Sequence, residues 1–253
     1  MGCLGGIIVV LMTPFTDDKI KIDEFCLQNH IEHLIKAGVH GIVPGGSRGE
    51  STVMSTAERK QLTELCVRFS AGCIPVVLEQ ERFILSRLPV MFYNMLGASG
   101  LKLSPTEIAG LSKVGVKYLK DTSGNAPALT ELVFGLSDQN TTFNGCDTLT
   151  FYGLAAGCQG GVWGAANFIP ELAVELWDSV AVKGDLKRGR DIWAKTWPIC
   201  NFLETHSYCS NVKTGVELTG QPTGGLRKPF SLLKPELQAE LKQLLKNAAV
   251  RTI

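Results

Sequence analysis

Seven short runs of apolar, mostly β-branched residues punctuate this chain, at 6–11, 41–44, 74–78, 88–93, 116–120, 142–144 and 161–163. Between most of them lie stretches with the 3.6-residue period of an amphipathic helix, at 22–37, 56–70, 104–111, 126–135 and 148–156. Strand alternating with helix is the pattern of βα units, whose parallel strands form one sheet that the helices cover. Several helices carry a start signal of their own: Asp23, Ser55 with Glu58 three positions on, and Ser104 followed by Pro105 and Glu107. Past the last strand only helical pattern remains, at 170–182, 186–204 and 235–249.

A doubly wound sheet and a closed barrel both fit this α/β order, and the placement of polar residues separates them. Nearly every strand runs into reactive or permissive residues: Thr13-Pro14, the stretch 45–50, Tyr93-Asn94, 120–123, 145–147 and 164–167. Polar groups converging from many strand ends describe the C-terminal face of a barrel. A dinucleotide fold would concentrate its signal in one Gly-rich turn after the first strand, where this chain reads Thr13-Pro14-Phe15. The expectation is a TIM-barrel-type (β/α)8 part over 1–168, with the last barrel helix and a C-terminal helical extension over 169–253, packed as one domain.

Charge and cysteine usage narrow the partners. Lys+Arg 25 against Asp+Glu 24 leave a net charge of +1, and the basic stretch 183–195 is broken by Asp185 and Asp191, so nucleic acid is not expected. The longest apolar run, 7–12, stops at Thr13-Pro14, far short of the ~20 residues of a bilayer span. Residues 1–11 hold no Lys or Arg ahead of an apolar stretch, so no secretory signal is read. The eight cysteines include no C-x-x-C and are expected to stay reduced, which points to the cytoplasm. His30 and His33 share a helix face, but with no ligand-spaced cysteine beside them a solvated pair outweighs a metal site.

Lys120 closes the run Val116-Lys117-Tyr118-Leu119-Lys120, where alternation places Val116, Tyr118 and Lys120 on one face. An amine held among apolar neighbours loses solvation of its charged form, which favours the neutral nucleophile that attacks a carbonyl. A surface lysine at a strand end fits the segment equally well. Tyr93 ends the preceding strand, where its hydroxyl can pass protons, or where the ring can simply be a core aromatic with a wet tip. The stretch 45–51 offers free backbone N–H groups, the Ser47 hydroxyl and the Arg48 guanidinium, a set suited to a carboxylate. It also satisfies G-x-S-x-G, which raises a serine-hydrolase reading with Asp121 or Asp147 and His206. Ser47 follows only the second strand, too early for a nucleophile elbow, and His206 lies in a helical pattern, so that reading ranks third.

In order along the chain, Thr13-Pro14-Phe15, Gly46-Ser47-Arg48-Gly49-Glu50, Tyr93-Asn94, Lys120-Asp121, Asn144-Gly145-Cys146-Asp147, 157–170, Gly220-Gln221-Pro222 and Leu226-Arg227-Lys228-Pro229 resemble the dihydrodipicolinate synthase and N-acetylneuraminate lyase family of pyruvate-handling class I aldolases. The resemblance implies that Lys120 forms an imine with a 2-oxo acid, that Tyr93 relays protons, and that Gly46, Ser47 and the loop amides hold the carboxylate. Gly145 and Val162 match positions lining the keto-acid pocket. It implies no metal or organic cofactor, an aldehyde or sugar acid as the other substrate, and a homo-oligomer, usually a tetramer.

Three departures stand out. Arg48 replaces the small hydroxyl or amide residue usual in the family. The stretch Leu96-Gly97-Ala98-Ser99-Gly100 lacks the arginine with which dihydrodipicolinate synthases proper bind their second substrate, which favours a relative's reaction. Only nine residues, 79–87, separate two strand candidates, whereas a parallel crossover with its helix takes at least about ten to twelve. One helix–strand unit is expected to be missing, and with it an aromatic residue that in the family completes the proton relay. A barrel so shortened would expose two sheet edges or leave a seam. A truncated scaffold without chemistry is the competing expectation.

Overall fold

The computed structural model describes residues 4–46, 50–77, 79–80 and 90–253, with the backbone alone at 79, 80, 90, 98 and 99. In chain order the elements are β1 Gly6–Val10, α1 Glu24–Lys36, β2 Gly41–Val43, α2 Thr56–Ser70, β3 Glu79–Gln80, β4 Val90–Asn94, α3 Leu96–Ser99, α4 Pro105–Gly110, β5 Val116–Asp121, α5 Ala126–Thr130, β6 Thr141–Asn144, α6 Thr150–Ala156, β7 Gly160–Trp163, α7 Pro170–Trp177, α8 Leu186–Thr205, α9 Tyr208–Leu218 and α10 Pro235–Asn247. The strands form one sheet in the order β2-β1-β7-β6-β5-β4-β3 with every neighbour parallel. This is the expected α/β barrel type, a curled sheet under helices.

Both faces of the strands are buried, which is why they read as continuous apolar runs. On β1, Ile8 and Val10 join Val43, Met91, Tyr118, Phe143 and Val162 in one cluster, while Ile7 and Val9 join the larger cluster shared with the helices. That larger cluster runs on to Leu241, Leu245 and Ala248, so α10 shares the core of the strands. Local chemistry fixes the helix starts. Ser55 and Ser104 each accept from the backbone of Glu58 and Glu107, whose carboxylates return the bond.

One segment meets both ends of the strand order. Ile42 N donates to Pro75 O (3.1 Å) and Val77 N to Ile42 O (2.8 Å), so residues 75–77 flank β2. Two positions later β3 pairs in parallel with β4, Glu79 opposite Met91 and Gln80 opposite Phe92. Of the two expected outcomes, bare edges or a seam, the first does not hold for β2 and β4, each of which meets this segment. Residues 81–89, most of the stretch read as too short for a crossover with its helix, lie outside the described residues.

Two further expectations shift. Val116 packs with Phe92, Ile108, Leu119 and Leu132 under the helices, not with Tyr118, because the register slips between Val90 and Met91 and leaves Lys117 as an extra residue. The predicted helix 126–135 is α5 followed by a π turn, Glu131–Gly135.

Candidate active site at the strand ends

Strand register brings Lys120 and Tyr93 together. They are direct partners across β4 and β5, and both side chains are 2% exposed. Lys120 Nζ stands 3.8 Å from the centre of the Tyr93 ring, against its π face. On the other side of β5, Phe143 pairs with Lys120 and is fully buried. The Tyr93 hydroxyl donates to Met95 Sδ at 2.7 Å. A buried amine against the Tyr93 ring, rather than a solvated surface lysine, is thus what the end of β5 presents.

Gly145, just past β6, is tied to β5 by its N–H, which donates to Asp121 O at 2.7 Å. A Cβ there would lie 2.3 Å from Thr122 Oγ1, 2.8 Å from Lys120 Cγ and 3.1 Å from Lys120 Cε. Only glycine leaves that side of the lysine free. Val162 on β7 is buried in the cluster of Ile8, Val10 and Phe143. Gly46 is buried just beyond β2, after Gly45 at φ +63° turns the chain. Ser47 and Arg48 lie outside the described residues, so the proposed carboxylate loop is seen at Gly46 and again at Glu50.

Next to Lys120, Asp121 is 2% exposed, and burial pushes its carboxyl above the usual range against the bonds it receives. Asn94 Nδ2 donates to its Oδ1 at 2.6 Å and Ser123 Oγ to its Oδ2 at 3.0 Å. Sequence reasoning picked out Asn94 only as part of a motif, and Asp121 as part of a motif and as a candidate triad acid. Their pairing follows from the β4–β5 register, which puts Asn94 opposite Asp121.

The C-terminal helices hold the next loop. Tyr208 OH donates to Asp147 Oδ2 at 2.5 Å, and Glu204 accepts from Thr148 Oγ1 at 2.7 Å and from Cys146 Sγ at 3.4 Å. Burial raises the Cys146 thiol to about 11. Glu204 and Tyr208 carried no sequence signal, since they lie 58 and 61 positions from Cys146 and Asp147. His206 stacks on Phe202 with ring centres 4.4 Å apart and turns Nδ1 to Phe202 O, so the proposed hydrolase triad gains no support from its histidine. His30 is fully enclosed between Asn167 Oδ1 and Gln221 Oε1 rather than solvated beside His33. Among the described residues no group of three or more His, Cys, Asp or Glu is arranged to hold a metal ion, and no helix is long and apolar enough to cross a membrane.

Comparison with known proteins agrees with this geometry. The model of the dihydrodipicolinate synthetase family matches residues 3–80 and 83–248. A 4-hydroxy-tetrahydrodipicolinate synthase of Methanopyrus kandleri is 29% identical over 289 aligned positions, covering 95% of each chain. Among solved structures, the dihydrodipicolinate synthase of Aquifex aeolicus superposes with a TM-score of 0.88 at 22% identity, covering 98% of this chain and 99% of its own. YagE, an Escherichia coli K12 prophage protein solved in complex with pyruvate, gives 0.89 at 22%, covering 99% and 100%. At such identities the solved structures speak to the fold.

Proposed function

The chain belongs to the dihydrodipicolinate synthetase family, and on that footing we propose that it is a Schiff-base-forming lyase or aldolase acting on pyruvate or a related 2-oxo acid. The carrying observation is the buried Lys120 amine facing Tyr93 at adjoining strand ends. The neutral amine attacks C2 of the 2-oxo acid to give a carbinolamine. Loss of water, with the proton supplied through the Tyr93 hydroxyl, leaves the imine. The protonated imine acts as the electron sink. Removal of a proton from C3 gives an enamine that adds to an aldehyde, and in the cleavage direction the same electrons flow back when the C–C bond breaks. Water then releases the product and restores Lys120. Because the iminium takes up the electrons, no step calls for a metal or organic cofactor.

Gly46, Ser47 and the loop amides hold the substrate carboxylate in this reading, with Arg48 as a second anion partner, and Gly145 and Val162 shape the space beside the imine. The second substrate is an aldehyde or sugar acid. The names of the curated relatives favour 4-hydroxy-tetrahydrodipicolinate synthase itself, whereas the stretch 96–100, without arginine, favours a relative's reaction. We take the chain to lack one helix–strand unit of its relatives. The break in the family match at 81–82 and an alignment of 289 positions for 253 residues support that reading. We place the protein in the cytoplasm on its cysteine usage, and as a homo-oligomer on likeness to its family.

Borohydride reduction in the presence of pyruvate, read by intact and peptide mass spectrometry, tests the reading. A reduced pyruvyl adduct on Lys120 that disappears in Lys120→Ala is expected. No adduct on protein that circular dichroism shows folded would reject the enzyme and select the scaffold without chemistry.

A further inference from the structure

The hydroxyl of Tyr93, the proton relay of the reading above, is turned to a neighbour two positions along the chain. The tyrosine is 2% exposed, and its hydroxyl donates to Sδ of Met95 at 2.7 Å. Local geometry makes this pair. Strand β4 ends at Asn94, yet Met95 keeps an extended backbone, φ −145° and ψ 108°, before α3 begins at Leu96. Residues two apart on an extended chain share a face, so Tyr93 and Met95 stay side by side past the end of the strand. The methyl carbon of Met95 lies 3.9 Å from where a Cβ on Gly97 would stand. Against the face of the same tyrosine ring, 3.8 Å from its centre, rests Lys120 Nζ.

Strand pairing and burial hold the ring, which leaves the hydroxyl one freedom, rotation about its C–O bond. A phenolic hydrogen lies near the ring plane and points to one side or the other, so an acceptor on one side chooses its direction. A buried tyrosine hydroxyl needs a partner, and a thioether is a weak acceptor. The combination suits a relay, because the hydroxyl is satisfied in the free protein by a bond that exchanges readily for one to an incoming oxygen. We propose that Met95 is a positioning residue for Tyr93: its sulfur holds the O–H in one direction and releases it to the oxygen of the carbinolamine. The proton then leaves with that oxygen as water while the nitrogen lone pair closes the C=N bond. The phenolate left behind is the base that takes the C3 proton and so recovers its hydroxyl. This rests on the Schiff-base reading above and deepens it.

The test uses the full chain as Met95→Leu, Tyr93→Phe and the double variant Met95→Leu/Tyr93→Phe. Leucine conserves the volume of methionine and removes the acceptor, with Met95→Ile in its place should thermal unfolding show Met95→Leu unfolded. Each protein is titrated with pyruvate under excess borohydride, and the limiting rate of adduct formation on Lys120 is read beside the half-saturating concentration. Met95→Leu is expected to label about tenfold more slowly at saturation, a part of what a positioned proton donor contributes, with half-saturation within twofold of the parent. Once Tyr93→Phe has removed the hydroxyl, Met95→Leu should have no further effect. A parental limiting rate in Met95→Leu overturns the proposal, and so does an equal loss with and without the hydroxyl, which would make Met95 a packing residue. If Tyr93→Phe labels too slowly to follow, the solvent deuterium isotope effect on the limiting rate decides. A larger effect in Met95→Leu than in the parent is expected, since proton delivery has become slower, and an unchanged one overturns the proposal. A parent chain that forms no adduct at any pyruvate concentration overturns the Schiff-base reading and this inference together, whereas an adduct whose rate ignores Met95→Leu overturns this inference alone.

Discussion

Replacing Gly145 by alanine perturbs Lys120 without touching its chemistry. The new methyl carbon would stand 2.3 Å from Thr122 Oγ1 and 2.8 Å from Lys120 Cγ. Restoring contacts of about 3.4 Å requires shifts of about 1.1 Å and 0.6 Å respectively, since atoms in a close-packed interior have no slack. Overpacking of this size costs about 1–3 kcal/mol of stability. A nucleophile displaced by several tenths of an ångström loses about 10- to 100-fold in rate, or about 1.4–2.7 kcal/mol of barrier. The assay is the rate at which the reduced pyruvyl adduct accumulates on Lys120 at saturating pyruvate, with the melting temperature followed alongside. Gly161→Ala is the control. It also lies at a strand end, but its Cβ would find its nearest neighbours at 3.8 Å or beyond, and it should behave like the parent. If Gly145→Ala labels Lys120 at the parental rate, the crowding does not reach the amine and the role given to Gly145 is wrong.

Further outcomes follow from the same geometry. His30 and His40 are both held below their ordinary pKa of 6.5, burial being the first cause for each. Their contribution is therefore fully present above pH 6.5 and lost as pH falls toward the folded values, by up to about 1.4 kcal/mol per pH unit for each. Melting temperatures between pH 8 and 5 should fall with acidification, and a His30→Gln chain should show a shallower slope; an identical slope would exclude His30. Asp121 has the opposite sense: its raised pKa gives stability present below 3.8 and lost as pH rises through the folded value. Asn94→Ala removes a 2.6 Å donor from that carboxylate, so about 1.5–3 kcal/mol should be lost near neutrality and less at pH 4, by chemical denaturation at both pH values. Tyr208→Phe removes one bond to Asp147 and should lower stability by about 1–2 kcal/mol while Lys120 still labels, in the same trapping and melting assays.

Much of the fold was legible because the local signals and the packed structure agree. Helix α2 occupies 56–70 as read, since Ser55 and Glu58 close a reciprocal cap. That Lys120 and Tyr93 stand near strand ends was also readable, each being the penultimate residue of a buried strand, and the register makes them neighbours. Helix α9 was not. Ser210, Asn211, Lys213 and Thr214 are polar yet buried, so they erase the apolar stripe from which a helix is recognised. For the same reason the buried ion pair of Lys213 with Glu50 was invisible: its partners are far apart in the chain, and burial of charge leaves no pattern in sequence. Periodicity misplaced Val116, because a register slip is a property of two strands and not of one.

The short segment joining β2 to β4 also bears on the order in which the ring assembles. Glu79 and Met91 pair 12 positions apart, Val76 and Ile42 34 apart, whereas Gly6 and Gly160, joining β1 to β7, are 154 apart. Closing the longest of these loops costs about 2 kcal/mol more chain entropy than closing the shortest. Contacts around β3, β4 and β5 are thus the cheap ones to form first, and β1 against β7 is the seam where folding finishes. Residues added or removed between β3 and β4 would alter the fastest-forming part of the sheet and leave that seam last to close.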